Sequence, residues 1–242
     1  MKPCAIERRG ILRHACCGAA GLALGLGVPR AFAATGKQTD LTPDQVLASL
    51  KEGNERFVTD KPQPVEQGNR RRLEIARSQA PVAVLVGCSD SRVSPELLFG
   101  RGLGELFIIR NAGNTVDLAA QGSVEYAVGA LGVPLILVLG HERCGAVAAA
   151  VDVLEKDATF PGRIGQMVEP IIPAVIKAKR AAGRDLSTDE LLDAAVRENV
   201  RRVAGGLSLS ELLTERQRAG KLKIVGARYD LDDGRVEFFH EA

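Results

Sequence analysis

The chain has 242 residues, 45% of them hydrophobic and 26% charged, a globular rather than a disordered composition. Its net charge of +2 is unevenly spread: residues 1–33 carry +4 and the rest carry −2, which argues against a basic nucleic-acid footprint, as the lack of Trp and the 4% aromatic content argue against a base-stacking platform. No apolar run after residue 33 reaches the roughly 18–20 residues that span a bilayer, so no multi-pass membrane protein is expected.

Residues 1–33 read as an export signal. A charged start (Lys2, Arg8, Arg9, Arg13) precedes an apolar stretch from Ala15 to Val28, and Ala31-Phe32-Ala33 is a small-x-small cleavage site. Arg8-Arg9-Gly10-Ile11-Leu12-Arg13 resembles a twin-arginine signal, with Ile for the usual Phe and Arg for the usual Lys. An exported, periplasmic protein with no stable membrane anchor after cleavage is expected. Cleavage removes Cys4, Cys16 and Cys17, and the mature chain, residues 34–242, reads as a single domain that keeps Cys88 and Cys144. Those two thiols suit one disulfide or a pair of metal ligands.

Thr42-Pro43-Asp44 is a helix start, with a cap, a proline in the first turn and an acid beside it. Val46, Leu47, Leu50 and Phe57 continue at helical spacing, an apolar stripe fit for its own domain or for a partner. A basic helix is predicted over Asn69 to Ser78. Val82 to Val86 reads as a buried strand that delivers Cys88 to its C-terminal end. Ser94-Pro95-Glu96 opens a short helix, 106–109 is a second strand, and Asp117 caps a helix to about Leu131. Residues 135–139 form a third strand, which delivers His141, and a helix runs from near Cys144 to Leu154. Helical patterns fill 163–182, 188–204 and 208–219. Lys223 to Tyr229 is a fourth strand, and Arg235 to Phe239 follows the Asp232-Asp233-Gly234 turn as an antiparallel edge. Strands alternating with helices give an α/β fold with a mainly parallel central sheet flanked by helices, on which the helical 155–220 segment reads as an embellishment.

Two clusters lie just beyond strand ends, where such sheets bind ligands. They are Cys88-Ser89-Asp90-Ser91-Arg92 and His141-Glu142-Arg143-Cys144. Two thiolates and one imidazole suit zinc, and three protein ligands leave a fourth position open, as catalytic zinc sites do. Water at that position becomes a usable nucleophile near neutral pH. Two thiolates neutralise more of the metal's charge than imidazoles do, so activity should favour alkaline pH. Asp90 has two options: to close the site as a fourth ligand, or to pair with Arg92 and stay ionised beside the metal. A different class of reading is a non-catalytic exported protein in which the cysteines form a disulfide or a closed structural zinc site.

These residues resemble the β-class carbonic anhydrases over nearly the whole mature chain, from Gly53-Asn54-x-Arg56-Phe57 to the last strands, most densely from Gln79 to Gly145. The resemblance implies one zinc per chain on Cys88, His141 and Cys144, with Asp90 and Arg92 as a catalytic dyad. It implies reversible hydration of carbon dioxide to bicarbonate and a proton by zinc-bound hydroxide. Gln79 and the Gly145 amide match hydrogen-bond donors to the substrate. Phe107 and Tyr126 match the apolar wall of its pocket, and Ala112 stands where many relatives carry Val. Leu85 replaces the Trp of members that hold a second, inhibitory bicarbonate, so that pocket is not expected, although Arg110 matches its arginine. The family places its site at a dimer interface, which implies a homodimer or homotetramer. Some relatives on this fold hydrolyse carbon disulfide or carbonyl sulfide instead, the alternative chemistry for the same centre.

Overall fold

The computed structural model describes residues 38–242, so the export signal read in residues 1–33 lies outside the described residues. In chain order the helices are α1 (Pro43–Val58), α2 (Asn69–Ile75), α3 (Pro95–Leu98), α4 (Leu118–Gly129), α5 (Gly145–Lys156), α6 (Ile164–Val168), α7 (Ile172–Ala182), α8 (Thr188–Leu207) and α9 (Glu211–Arg218). The strands are β1 (Ala83–Gly87), β2 (Leu106–Arg110), β3 (Leu135–His141), β4 (Lys223–Tyr229) and β5 (Val236–Glu241). They form one sheet in the order β2-β1-β3-β4-β5. The first four are parallel and β5 runs antiparallel to β4, the architecture expected from the alternating pattern. No helix among the described residues is long and apolar enough to cross a membrane.

Both faces of the sheet are covered, which is why its central strands are continuous apolar runs. Successive residues of β3 serve opposite faces. Leu135, Leu137 and Leu139 pack with Val46, Leu47 and Leu50 of α1, while Ile136 and Val138 pack with Val124 of α4 and Val200 and Ala204 of α8. The α1 stripe therefore lies on its own sheet. Its helix starts at a capping box: the Thr42 hydroxyl accepts from the Gln45 N–H at 3.3 Å, and the Gln45 side chain accepts from the Thr42 N–H at 2.8 Å.

Most boundaries lie within two residues of the sequence expectation, and the larger departures are in the helices. α2 stops at Ile75 rather than Ser78, α8 runs on to Leu207, and α9 begins only at Glu211. The 163–182 pattern is broken into α6, a 3₁₀ turn at Glu169–Ile171, and α7. Pro170 lacks the N–H that an unbroken helix needs there, and Pro173 sits where a proline is tolerated, in a new first turn. The helical segment is also more than an embellishment. Val168, Ile171, Val175, Leu191, Ala195 and Val196 enclose Cys88, Cys144 and the start of α5 in a third apolar core. Gly140 permits this close approach: a Cβ there would stand 2.6 Å from a Val200 methyl.

Candidate metal centre

Parallel pairing sets Gly87 of β1 opposite Leu139 of β3, so Cys88, the next residue, comes level with Gly140 and beside His141. His141 is the last residue of β3, and Cys144 is the cap residue of α5. The two-residue return between them, Glu142-Arg143, needs a left-handed turn, which Arg143 supplies at φ 51°. Such a backbone costs about 1–2 kcal/mol for a side-chain-bearing residue. The Arg143 guanidinium is fastened to Asp232 by two bonds, of 2.9 and 2.6 Å.

One donor atom from each of Cys88, His141 and Cys144 lies within 4.8 Å of the others, and all three residues are buried. The two sulfurs are 3.9 Å apart and both cysteines are free. A disulfide needs about 2.0 Å, so the disulfide alternative is not what the fold builds. Two sulfurs on one tetrahedral zinc, each about 2.3 Å from it, would stand about 3.8 Å apart. The imidazole is oriented for the same task. His141 Nδ1 lies 2.9 Å from the Glu142 carbonyl oxygen, which can only accept, so the ring proton sits on Nδ1. That leaves Nε2 with a lone pair, fully buried and with no hydrogen-bond partner among the described residues. An orphaned buried nitrogen beside two buried sulfurs is costly unless a cation joins them. The donor set thus fits zinc.

The thiols are arranged to ionise unequally. Cys88 is held well below the ordinary thiol range, first by its contact with Cys144 and then also by the backbone N–H groups of Gly113 and Asp90. Cys144 is pushed up, first by its contact with Cys88, then by burial and by the Cys88 charge. A divalent cation would displace the proton the pair retains.

Asp90 is paired with Arg92. Oδ1 accepts from Arg92 Nε and from the Arg92 backbone N–H, each at 3.0 Å, and Oδ2 accepts from the guanidinium at 2.8 Å. The Arg92 bonds hold the carboxyl well below the usual carboxylate range. Its Oδ2 stands 3.8 Å from His141 Nε2, so the ionised carboxylate faces the donor triad while fastened away from it. Arg110 fixes the loop itself, donating to the Cys88 carbonyl at 2.8 Å and to the Asp90 carbonyl at 2.6 Å. The Gly113 N–H donates to Cys88 Sγ at 3.2 Å.

A family model described as carbonic anhydrase matches residues 83–236. Carbonic anhydrase 2 of Mycobacterium tuberculosis is 46% identical over 80% of this chain and 91% of its own length. The β-carbonic anhydrase of Coccomyxa, solved in complex with acetazolamide, superposes with a TM-score of 0.64 at 29% identity, covering 84% of this chain and 89% of that one. The chain belongs to the β-carbonic anhydrase family. A tetrameric β-carbonic anhydrase of Sordaria macrospora gives a TM-score of 0.65 at 25% identity, with 72% of this chain and 89% of that one covered.

The remaining sequence-predicted residues of this carbonic anhydrase fall into two groups. Gly145 is exposed at the first position of α5, where an amide has no partner within the helix, and Ala112 directly precedes the Gly113 amide. Phe107, Tyr126 and Gln79 lie elsewhere. Phe107 pairs with Val84, four residues before Cys88 and roughly 13 Å from its level along the strand. Tyr126 packs on Phe107 with ring centres 6.4 Å apart and is 42% exposed. Gln79 is exposed ahead of β1, at the end of the strand opposite Cys88. One chain does not bring these three to its own metal donors.

Sequence reasoning gave Arg110 no part in the centre, although its place at the end of the strand beside β1 was a usable signal. It also missed Gly113 and Asn199. The Asn199 side chain donates to the Gly113 carbonyl at 2.8 Å, and only its position in the apolar stripe of α8, beside Val196 and Val200, hinted at a task.

Proposed function

We propose that this chain hydrates carbon dioxide reversibly at a single zinc per chain held by Cys88, His141 and Cys144. The observation that carries the proposal is the buried donor triad with a partnerless His141 Nε2, faced by an ionised carboxylate that Arg92 holds in place. Zinc, when bound, supplies a Lewis acid that makes a water usable as a nucleophile near neutral pH. Asp90 would accept a hydrogen bond from the attacking water or hydroxide and so aim that oxygen's own lone pair at carbon dioxide. Arg92 keeps that acceptor ionised and aimed. The Gly145 N–H and the Gln79 amide receive the charge that develops on the substrate oxygens. Ala112, Phe107 and Tyr126 line the apolar side of the pocket.

The separation of Gln79, Phe107 and Tyr126 from their own chain's donors supports a homodimer or larger homo-oligomer, in which these side chains serve the partner's metal. The exposed Tyr126 ring and the outer edge of β2, which pairs with no other strand among the described residues, support the same reading. We also propose that residues 1–33 direct export by the twin-arginine route to the periplasm. That leaves residues 34–242 as one zinc domain without an anchor. The charged start, apolar stretch and Ala31-Phe32-Ala33 site support it.

Stopped-flow hydration of carbon dioxide by the purified mature protein tests the activity. Bicarbonate formation that rises toward alkaline pH and vanishes with a chelator is expected. No hydration from pH 6 to pH 9 by zinc-loaded protein refutes it. Turnover of carbon disulfide in its place would move the chain to the alternative chemistry.

A further inference from the structure

We propose that Asn199 of α8 is a positioning residue that sets how much charge Cys88 brings to the metal, acting through the Gly113 amide. The proposal rests on the reading of Cys88 as a zinc ligand. Asn199 is 2% exposed, and its side-chain N–H donates to the Gly113 carbonyl at 2.8 Å. On the other side of the same residue, the Gly113 N–H donates to Cys88 Sγ at 3.2 Å. Gly113 sits at φ 69°, and a Cβ on it would meet a methyl of Ile171 at 2.6 Å, so the position takes glycine. Glycine is also the residue least able to hold its own peptide planes. The orientation of the N–H that reaches the sulfur therefore needs an outside anchor, and the Asn199 amide is one.

Packing alone gives no reason for an amide at this place. Val196 and Val200 occupy the neighbouring buried positions of α8, and an aliphatic side chain would avoid the cost of burying an amide. A hydrogen bond to a thiolate draws charge from the sulfur, and hydrogen bonds to ligands tune the metal they hold. Cys88 with its Gly113 bond is a weaker electron donor than Cys88 without it. Loss of the anchor makes the sulfur more electron-rich and the metal less acidic.

The test uses cobalt-loaded full-length mature protein, whose sulfur-to-cobalt charge-transfer absorption reports the charge on sulfur. Asn199→Ala and Asn199→Asp both remove the donor and should move the band to longer wavelength. Asn54→Ala is the control for a merely structural role. Asn54 is equally buried, donates to the Gly234 carbonyl at 2.9 Å and accepts from the Val236 N–H at 2.8 Å, in a turn unrelated to the metal donors. It should lower stability and leave the band in place. A band unmoved in the Asn199 variants, or moved equally by Asn54→Ala, overturns the proposal. A wild-type cobalt protein with no sulfur charge-transfer band overturns the metal reading beneath it instead. If the Asn199 variants do not fold, the wild type decides. Loaded with a spin-active cadmium isotope, it should show scalar coupling between the Gly113 amide proton and the metal, and slow exchange of the Asn199 side-chain amide. Absence of either result overturns the proposal.

Discussion

The strand tips of β1 and β3 and the helical segment from 155 to 220 contribute to one centre in different ways. The tips supply all three members of the candidate donor triad, each within a few residues of a buried apolar strand, so that chemistry and position are written side by side in the sequence. The helical segment supplies no donor. It supplies the apolar wall of Ile171, Val175 and Val196 behind the thiols, and the Asn199 amide that reaches the Gly113 loop. A metal site's ligands are thus local text, while its support is a long-range product of packing.

Substitutions in the two regions should separate along that line. The largest effect is expected at the tips: Cys88→Ala or His141→Ala should abolish both bound zinc, by elemental analysis, and carbon dioxide hydration. A stoichiometrically zinc-loaded Cys88→Ala protein would break the comparison. Next, Asp90→Ala should keep its zinc yet lose about 10²–10⁴-fold in turnover. Full activity in that variant would remove Asp90 from the mechanism.

The pH dependence of Asp90 sharpens the same point. Arg92 depresses its pKa in the folded protein, so its contribution to stability is complete above the unfolded carboxyl value, near 4, and is lost as pH falls below it. Acid unfolding should therefore shift to higher pH in Arg92→Ala. The decline of activity between pH 8 and pH 6 should be unaffected by Asp90 titration, because the carboxylate stays ionised throughout that range.

In the helical wall, Ile171→Ala should cost about 2–5 kcal/mol in denaturant unfolding while leaving all three donors in place. Its metal should leave faster although no ligand has changed. The smallest effect belongs to the exposed pair: Asp232→Ala should leave the denaturant unfolding midpoint almost unchanged, because solvent screens the pair. Arg143→Gly should be close to neutral, because the lost pair is offset by relief of the left-handed backbone.

The legibility of the molecule follows the same division. Strands β1, β3 and β4 were readable because burial on both faces demands unbroken apolar runs, and the parallel arrangement followed from the helices between them. The donors were readable because Cys-x-Asp-x-Arg and His-x-x-Cys end such runs. The break between α6 and α7 was hidden by apolar periodicity that continues through it, although Pro170 marks the place. Asn199 was barely readable, since its partner lies 86 residues away and its place in the apolar stripe of α8 is the one local sign of a task. Phe107 and Tyr126 were legible as apolar side chains, but their distance from their own chain's donors emerges only from strand register.

The most direct test of the central claim is X-ray absorption at the zinc edge of the metal-loaded protein near neutral pH. Cys88, His141 and Cys144 with an open fourth corner predict two sulfurs at about 2.3 Å and two lighter atoms at about 2.0–2.1 Å, one of them an imidazole nitrogen. The fourth atom should exchange with solvent or with an added anion, as an open corner requires. A shell without sulfur, a shell of four sulfurs, or a fourth light atom that resists exchange because Asp90 occupies the corner would contradict it.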